Sequence, residues 1–350
     1  MLRCNGANDM KQQTVVMIPG DGIGPEVSLA VQRVLQAAGA NITWVERHAG
    51  VVALERESTV MPESTLSAIL EHDVALKGPC TTPVGKGFSS VNVQLRKKLN
   101  LYAAVRPVRS LPGVKTRFDN VDLVIIRENT EGLYSGIENE VTPGVVTSLK
   151  VATDKACERI ARWAFAYAVE RNRREVTVMH KANIMKLTDG LFIRKAKEVH
   201  DAEYPGVGYR EIIIDAGCMR LVQDPSQFDM LLLENLYGDV VSDLCAGLVG
   251  GLGVVPGANI GDGHAVFEAV HGSAPDIAGK NIANPLALLM SAVMMLNYLA
   301  DKKDNPGARD VALRIRQAYD QTLLDGAKTR DLGGTLGTDA FADAIITRIT

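Results

Sequence analysis

Short runs of unbroken apolar residues alternate with longer stretches of helical spacing along most of this chain. Residues 14–18 (TVVMI), 121–127 (VDLVIIR), 176–180 (VTVMH), 212–215 (IIID) and 230–233 (MLLL) have the length and content of buried strands. Helices are expected at 25–34, 91–99, 153–171, 190–200, 239–249 and 285–300, the first opening on Pro25, where a missing N–H costs nothing. The alternation argues an α/β fold. At 350 residues the chain exceeds one simple core and suits two modest domains, with crossings expected near 101–107 and 250–257.

Several function classes are poorly matched. The formal charge is −3 and Lys and Arg form no long run, so there is no electrostatic footprint for nucleic acid. The longest apolar run, residues 285–299, is shorter than the roughly 20 residues a bilayer requires, and reads as a core or subunit-interface helix. Five scattered cysteines (Cys4, Cys80, Cys157, Cys218, Cys245) have neither metal-ligand nor redox spacing, so free thiols are expected. The first dozen residues lack a signal-peptide core. A cytosolic location is expected, with an organelle form whose leader has been removed as the alternative.

Residues 20–24 read Gly-Asp-Gly-Ile-Gly between a strand and a helix. The dinucleotide fingerprint is G-x-G-x-x-G with an acidic residue after a second strand. Here the spacing is G-x-G-x-G followed by Pro25, and no such acid follows. A tight turn of close backbone approach is expected instead.

The chemistry concentrates elsewhere. Asp239 and Asp243 are four apart in a helical stretch and so lie on one face. A hard divalent cation such as Mg²⁺ or Mn²⁺ is the usual reason to stack two carboxylates; a solvated helix face is the plain alternative. Ser90, Asn92 and Arg96 place a hydroxyl, an amide and a guanidinium at a helix N-terminus, a ready carboxylate site, or else a simple cap beside a surface arginine. Arg106 ends LYAAVR and Arg127 ends VDLVIIR. An arginine closing a buried strand needs an anion, because an unpaired buried guanidinium is costly. Tyr134 and Lys181 are candidate proton-transfer groups. His271 opens HGSAPDIAG, and Asp276 is placed to hydrogen-bond ribose hydroxyls and to repel a 2′-phosphate.

Five long polar motifs then point to one family: IPGDGIGPEV (18–27), RENTEGLYSGIE (127–138), HKANIMKLTDGLF (180–192), NLYGDVVSDLCAGLVGGLG (235–253) and HGSAPDIAGKNIANP (271–285). From about Thr14 onward the chain resembles the β-decarboxylating dehydrogenases of the isocitrate/isopropylmalate type, and most of all their NAD-dependent isocitrate branch. The resemblance implies a non-Rossmann α/β fold. Its large domain would come from residues 1–101 and 250–350 and its small domain from 102–249, with a clasp near 132–153 exchanged between subunits. It implies oxidative decarboxylation of isocitrate to 2-oxoglutarate with reduction of NAD⁺, in a homodimer or higher homo-oligomer with shared active sites.

By the same resemblance, Ser90, Asn92, Arg96, Arg106 and Arg127 would contact isocitrate, and Tyr134 and Lys181 would move protons. Asp215, Asp239 and Asp243 would bind Mg²⁺ or Mn²⁺, with Lys181 and Asp215 supplied by the neighbouring protomer. NAD would meet Thr82, His271, Gly272, Ala274, Asp276, Ile277 and Asn284. The Ser/Asn/Arg set predicts a γ-carboxylate on the substrate, where isopropylmalate enzymes carry apolar contacts. NADP-dependent relatives often have Lys-Tyr where this chain has Asp276-Ile277, so NAD is favoured. Alternatives are a homoisocitrate or isopropylmalate-type enzyme, or a non-catalytic regulatory subunit. Glu234 departs from the Pro or Thr often found there and is expected to touch no assigned role.

Overall fold

The computed structural model describes residues 9–81 and 90–349; the expectation at Thr82 lies outside the described residues. The strands are β1 (Gln13–Ile18), β2 (Ile42–Glu46), β3 (Val74–Lys77), β4 (Ala103–Arg109), β5 (Asp122–Glu128), β6 (Gly132–Thr142), β7 (Val145–Val151), β8 (Glu175–His180), β9 (Gly208–Ile213), β10 (Met230–Leu233), β11 (Pro256–Ile260) and β12 (Ala265–Ala269). The helices are α1 (Gly24–Ala37), α2 (Val51–Glu57), α3 (Glu63–His72), α4 (Val91–Lys98), α5 (Asp154–Glu170), α6 (Thr188–Glu203), α7 (Ile214–Gln223), α8 (Asn235–Val249), α9 (Leu286–Lys302), α10 (Gly307–Leu324) and α11 (Thr338–Ile346). None of these helices is long and apolar enough to cross a membrane. Cys80, Cys157, Cys218 and Cys245 carry free thiols.

Ten strands form one sheet in the order β2-β1-β3-β12-β11-β4-β5-β10-β8-β9. Its two wings are parallel, while the β12–β11, β11–β4 and β4–β5 pairs at the centre are antiparallel. Strands β3, β10, β11 and β12 are buried at every residue, as strands covered on both faces by helices must be. The chain ends supply one wing and the middle of the chain the other. Hairpin β6–β7 stands apart as its own two-stranded sheet and exposes Val141 and Val146 at 66% and 67%.

Most expected elements form, with ends shifted by a few residues. One expectation fails: residues 212–215 are not a strand, because β9 stops at Ile213 and α7 starts at Ile214. Asp215 therefore lies in the first turn of a helix, where the macrodipole favours a carboxylate. The expected helix 239–249 begins earlier, at Asn235.

The Gly-Asp-Gly-Ile-Gly turn approaches protein backbone. Asp21 N–H donates to Pro79 O at 2.7 Å and Ile23 N–H to Ser273 O at 2.8 Å. Gly20 and Gly22 both have positive φ, and a Cβ on either would stand 2.1 Å from Pro79 O or 2.0 Å from Ser273 O. The Asp21 carboxylate accepts N–H groups from Val51 (3.0 Å), Val52 (2.9 Å) and Thr81 (2.6 Å). One turn thus ties together the start of α2, the segment after β3 and the Ser273 loop. Asp21→Ala strands three backbone donors and is expected to lower unfolding free energy by about 2–4 kcal/mol. Chemical denaturation measures this; an unchanged midpoint would contradict the account.

Candidate active site

Three arginines from three elements meet beside α8. Arg127 closes β5 and is 1% exposed; its Nε and Nη2 donate to Asn235 Oδ1 at 3.0 and 2.7 Å, and its Nη1 pairs with Asp239. Arg106, on β4, donates to Ser242 Oγ and to Asp239 Oδ1 at 3.5 Å, and lies 3.6 Å from Asp243. Arg96, on α4, reaches Asn259 Oδ1 at 3.1 Å and Glu268 Oε1 at 3.3 Å. Ser90 caps α4 by accepting Val93 N–H at 3.5 Å. Gly238 makes the arrangement possible, because a Cβ there would stand 2.5 Å from Arg127 Cγ.

These guanidiniums strain one another electrostatically. Burial and the neighbouring Arg96 and Arg106 lower the Arg127 pKa to about 10, and burial with Arg96 lowers that of Arg106. Burial pushes the Asp239 carboxyl up, but Arg127, the Tyr134 hydroxyl and Arg106 outweigh it and hold it below its usual range. Burial, with Asp239 adding to it, raises the Asp243 carboxyl against the pull of Arg106 and Arg127. Tyr134 OH donates to Asp239 Oδ2 at 2.6 Å, under an Arg127 guanidinium 5.0 Å from its ring centre. Burial and that hydrogen bond raise the pKa of the phenol.

Beside the cluster lies a cavity of about 140 Å³ lined by Asn92, Arg96, Arg106, Lys77, Glu268 and His271, among others. Asn92 Oδ1 is buried there without a hydrogen-bond partner among the described residues. The sequence reading missed a second buried network behind it. Lys77 Nζ pairs with Glu268 Oε2 at 2.7 Å; Glu268 Oε1 also accepts from Asn259 at 2.7 Å, and Asn129 donates to Asn259 at 2.9 Å. Lys77 and Glu268 are charged residues set in short apolar strands, the same signal that marks Arg127. Burial works against the Glu268 charge, but Lys77 and Arg96 bring its pKa to about 2.

Lys181 and Asp215 do not join the arginine cluster. Lys181 Nζ donates to Asp215 Oδ1 at 2.6 Å, and Lys181 N–H donates to Asp189 Oδ2 at 2.7 Å. Among the described residues no three His, Cys, Asp or Glu side chains come together to hold a metal ion. Asp239 and Asp243 share α8, whereas Asp215 opens α7. The hard oxygen donors of Asp239 and Asp243 suit Mg²⁺ or Mn²⁺, with positions left for further ligands.

His271 and Gly272 open the 271–284 segment and border the same cavity. His271 Nδ1 lies 2.9 Å from Gly272 O, while its Nε2 is buried without a hydrogen-bond partner among the described residues and burial lowers the imidazole pKa. Ala274 adopts a left-handed φ of 37° ahead of the short turn Pro275–Ile277, which leaves Asp276 exposed. Asn284 donates to Asp331 at 2.9 Å and accepts Leu286 N–H at 2.9 Å. The orphaned imidazole nitrogen, the exposed acid and the open face at Gly272 fit a nucleotide.

The family model for isocitrate/isopropylmalate dehydrogenase matches residues 14–345. The chain belongs to that family. It is 52% identical to the Arabidopsis thaliana mitochondrial NAD isocitrate dehydrogenase catalytic subunit 5, over 95% of this chain and 87% of that protein. The mitochondrial NAD isocitrate dehydrogenase alpha chain of Homo sapiens is 49% identical over 96% of this chain and 90% of its own length. A mitochondrial NAD isocitrate dehydrogenase regulatory chain of Dictyostelium discoideum is also 49% identical, over 100% of this chain and 95% of its own. Isocitrate dehydrogenase from Methylococcus capsulatus superposes with a TM-score of 0.92 at 46% identity, covering 97% of this chain and 99% of that one. The isocitrate/isopropylmalate dehydrogenase fold expected from the motifs is the fold observed. The relatives from plant and animal named here are mitochondrial, and they lend no support to a cytosolic location.

Glu268→Gln leaves Lys77 buried without its counter-charge and is expected to cost about 3–5 kcal/mol near neutral pH. The folded-state carboxyl sits at about 2 against a reference of 4.5. Its contribution is therefore complete above about pH 4.5 and fades as pH falls toward 2. Unfolding curves for wild type and variant should converge as the pH is lowered; a gap independent of pH would contradict this.

Proposed function

We propose that this chain is a catalytic NAD-dependent isocitrate dehydrogenase, converting isocitrate to 2-oxoglutarate and CO₂. The observation that carries the reading is the crowding of Arg96, Arg106 and Arg127 around the Tyr134–Asp239 hydrogen bond. A substrate with three carboxylates relieves the mutual repulsion of those cations. Ser90, Asn92 and Arg96 would receive the γ-carboxylate, and Arg106 and Arg127 the others. Tyr134 holds a proton on its hydroxyl and would deliver it to the carbon that loses CO₂. Lys181 from a second copy would take the proton of the substrate hydroxyl. Asp239 and Asp243, with Asp215 of that second copy, would hold Mg²⁺ or Mn²⁺, which supplies Lewis-acid stabilisation of developing negative charge. NAD⁺ would lie along His271, Gly272, Ala274, Asp276, Ile277 and Asn284, and Thr82 completes the proposed set. Asp276 disfavours a 2′-phosphate.

A homodimer supplies the missing half-site. The exposed Val141 and Val146 of the hairpin, with Met219 of α7 at 53% and Val240 of α8 at 59%, support an apolar interface between copies. We take residues 132–153 as its clasp, part of a small domain (102–249) beside a large one (1–101 and 250–350), a division that the two wings of the sheet support. The relatives' location supports a mitochondrial matrix setting. A regulatory reading has one support, the similarity to the Dictyostelium regulatory chain. Retention of Tyr134, Lys181, Asp215, Asp239 and Asp243 favours catalysis.

Tyr134→Phe separates binding from chemistry. Loss of the proton donor is expected to lower kcat about 100-fold or more, while the calorimetric affinity for D-isocitrate stays within a few-fold. Normal turnover by the variant would remove Tyr134 from this role.

A further inference from the structure

A buried charge cluster that the proposed chemistry does not use lies beneath the loop carrying Lys181. Lys150 leaves β7 with its side chain 13% exposed and pairs with two carboxylates, Asp189 of α6 at 0% and Glu234 at 11%. Its ammonium lies 3.7 Å from Met185 Sδ and 4.7 Å from the centre of the Tyr237 ring. Asp189 Oδ2 accepts the Lys181 N–H at 2.7 Å. Within the same loop, Met185 N–H donates to Lys181 O at 2.9 Å and Asp189 N–H to Met185 O at 3.1 Å. Asp189 is thus the floor of the Lys181 loop, and Lys150 is the cation against that floor. Glu234 braces Lys150 from the opposite side. Its own C=O accepts Gly238 N–H at 2.7 Å as α8 begins. One ammonium therefore joins the base of the hairpin, the Lys181 loop and the helix bearing Asp239.

The charges within the cluster are unequal. Two carboxylates face one lysine, and Glu234 Oε1 is buried without a hydrogen-bond partner among the described residues. Burial pushes Glu234 up to about 7 against the pull of Lys150, with Asp189 adding to the rise. Glu128 of β5, Glu131 after it and Cys157 of α5 line one pocket with Glu234, and Tyr237 of α8 is within its electrostatic reach. Lys150 is its one cationic partner among the described residues. Glu234 itself touches none of the residues given a role; it stands two contacts from Lys181, through Lys150 and Asp189.

We propose that Glu234 is a positioning residue for Lys181, acting through Lys150 and Asp189 to hold the 181–189 loop against the start of α8. That this positioning matters for turnover rests on the function proposed above; the positioning itself does not. Two measurements on the full chain keep them apart. The first is the rate at which acetic anhydride labels Lys181, followed by mass spectrometry without substrate. The second is the pH profile of kcat and KM for D-isocitrate.

Glu234→Gln keeps the shape but loses the charge. Near pH 8 it is expected to speed Lys181 labelling several-fold and lower kcat roughly tenfold, with KM within about twofold of wild type, as small misplacements of a reacting group do. The kcat profile should also lose a step near neutrality. Glu234→Asp, which retains the charge on a shorter arm, should recover part of both effects, and it replaces Glu234→Gln in the comparison if that protein does not fold. Labelling of Lys181 at the wild-type rate overturns the proposal, whatever the turnover. Wild-type chain inert toward isocitrate, yet with faster labelling in Glu234→Gln, would overturn the functional reading and leave the positioning intact.

Discussion

Three guanidiniums held out of water against one another set the terms for everything around them. Arg96 lowers the readiness of Arg106 to stay charged and both lower that of Arg127, and a folded chain tolerates this only if acids or an anionic ligand sit among them. Asp239 answers part of that demand, pairing with Arg127 and Arg106 while accepting a hydrogen bond from the Tyr134 hydroxyl. Glu268 answers another part, between Arg96 and the buried Lys77. The cavity at Asn92, Arg96 and Arg106 is where the positive charge stays open to a ligand.

The sheet explains how these groups come together. The antiparallel centre lays β4 beside both β11 and β5, so Arg106, Asn259 and Arg127 fall on adjoining strands although they are far apart in sequence. Helix α8 follows β10 and runs over β4 and β5, presenting Asn235, Asp239, Ser242 and Asp243 to the arginines. The Gly20–Gly22 turn brings the segment after β3 against Ser273, beside the proposed nucleotide segment. The Lys181–Asp215 pair lies outside this assembly, and in one chain the proposed metal set is short of a third acid among the described residues. The proposed second copy gives that pair something to serve.

Much of this was legible in local pattern. Continuous apolar runs such as MLLL and VIIR mark β10 and β5 because burial on both faces leaves no room for polar alternation. The i,i+4 spacing of Asn92 with Arg96, and of Asp239 with Asp243, needs only a helix to become a face. Strand β11, PGANI, was not legible, because its composition is that of a turn and its extended form comes from pairing with β12 and β4. The run IIID misled, because its apolar residues straddle the junction of β9 and α7. The contacts of Lys150 with Asp189 and Glu234 carry no local signal, since each residue comes from a different part of the chain. The wider family resemblance reached further than any spacing did, because long polar motifs record a whole site.

The central claim is that the arginine cluster, the α8 acids and Asp276 together serve one reaction. Purified chain should be mixed with D-isocitrate and either NAD⁺ or NADP⁺, each with Mn²⁺ or with a chelator, and reduced nicotinamide followed by absorbance. The account predicts turnover that requires the metal and strongly prefers NAD⁺. Folded protein that is silent in every combination, or that works equally well with NADP⁺, would contradict it.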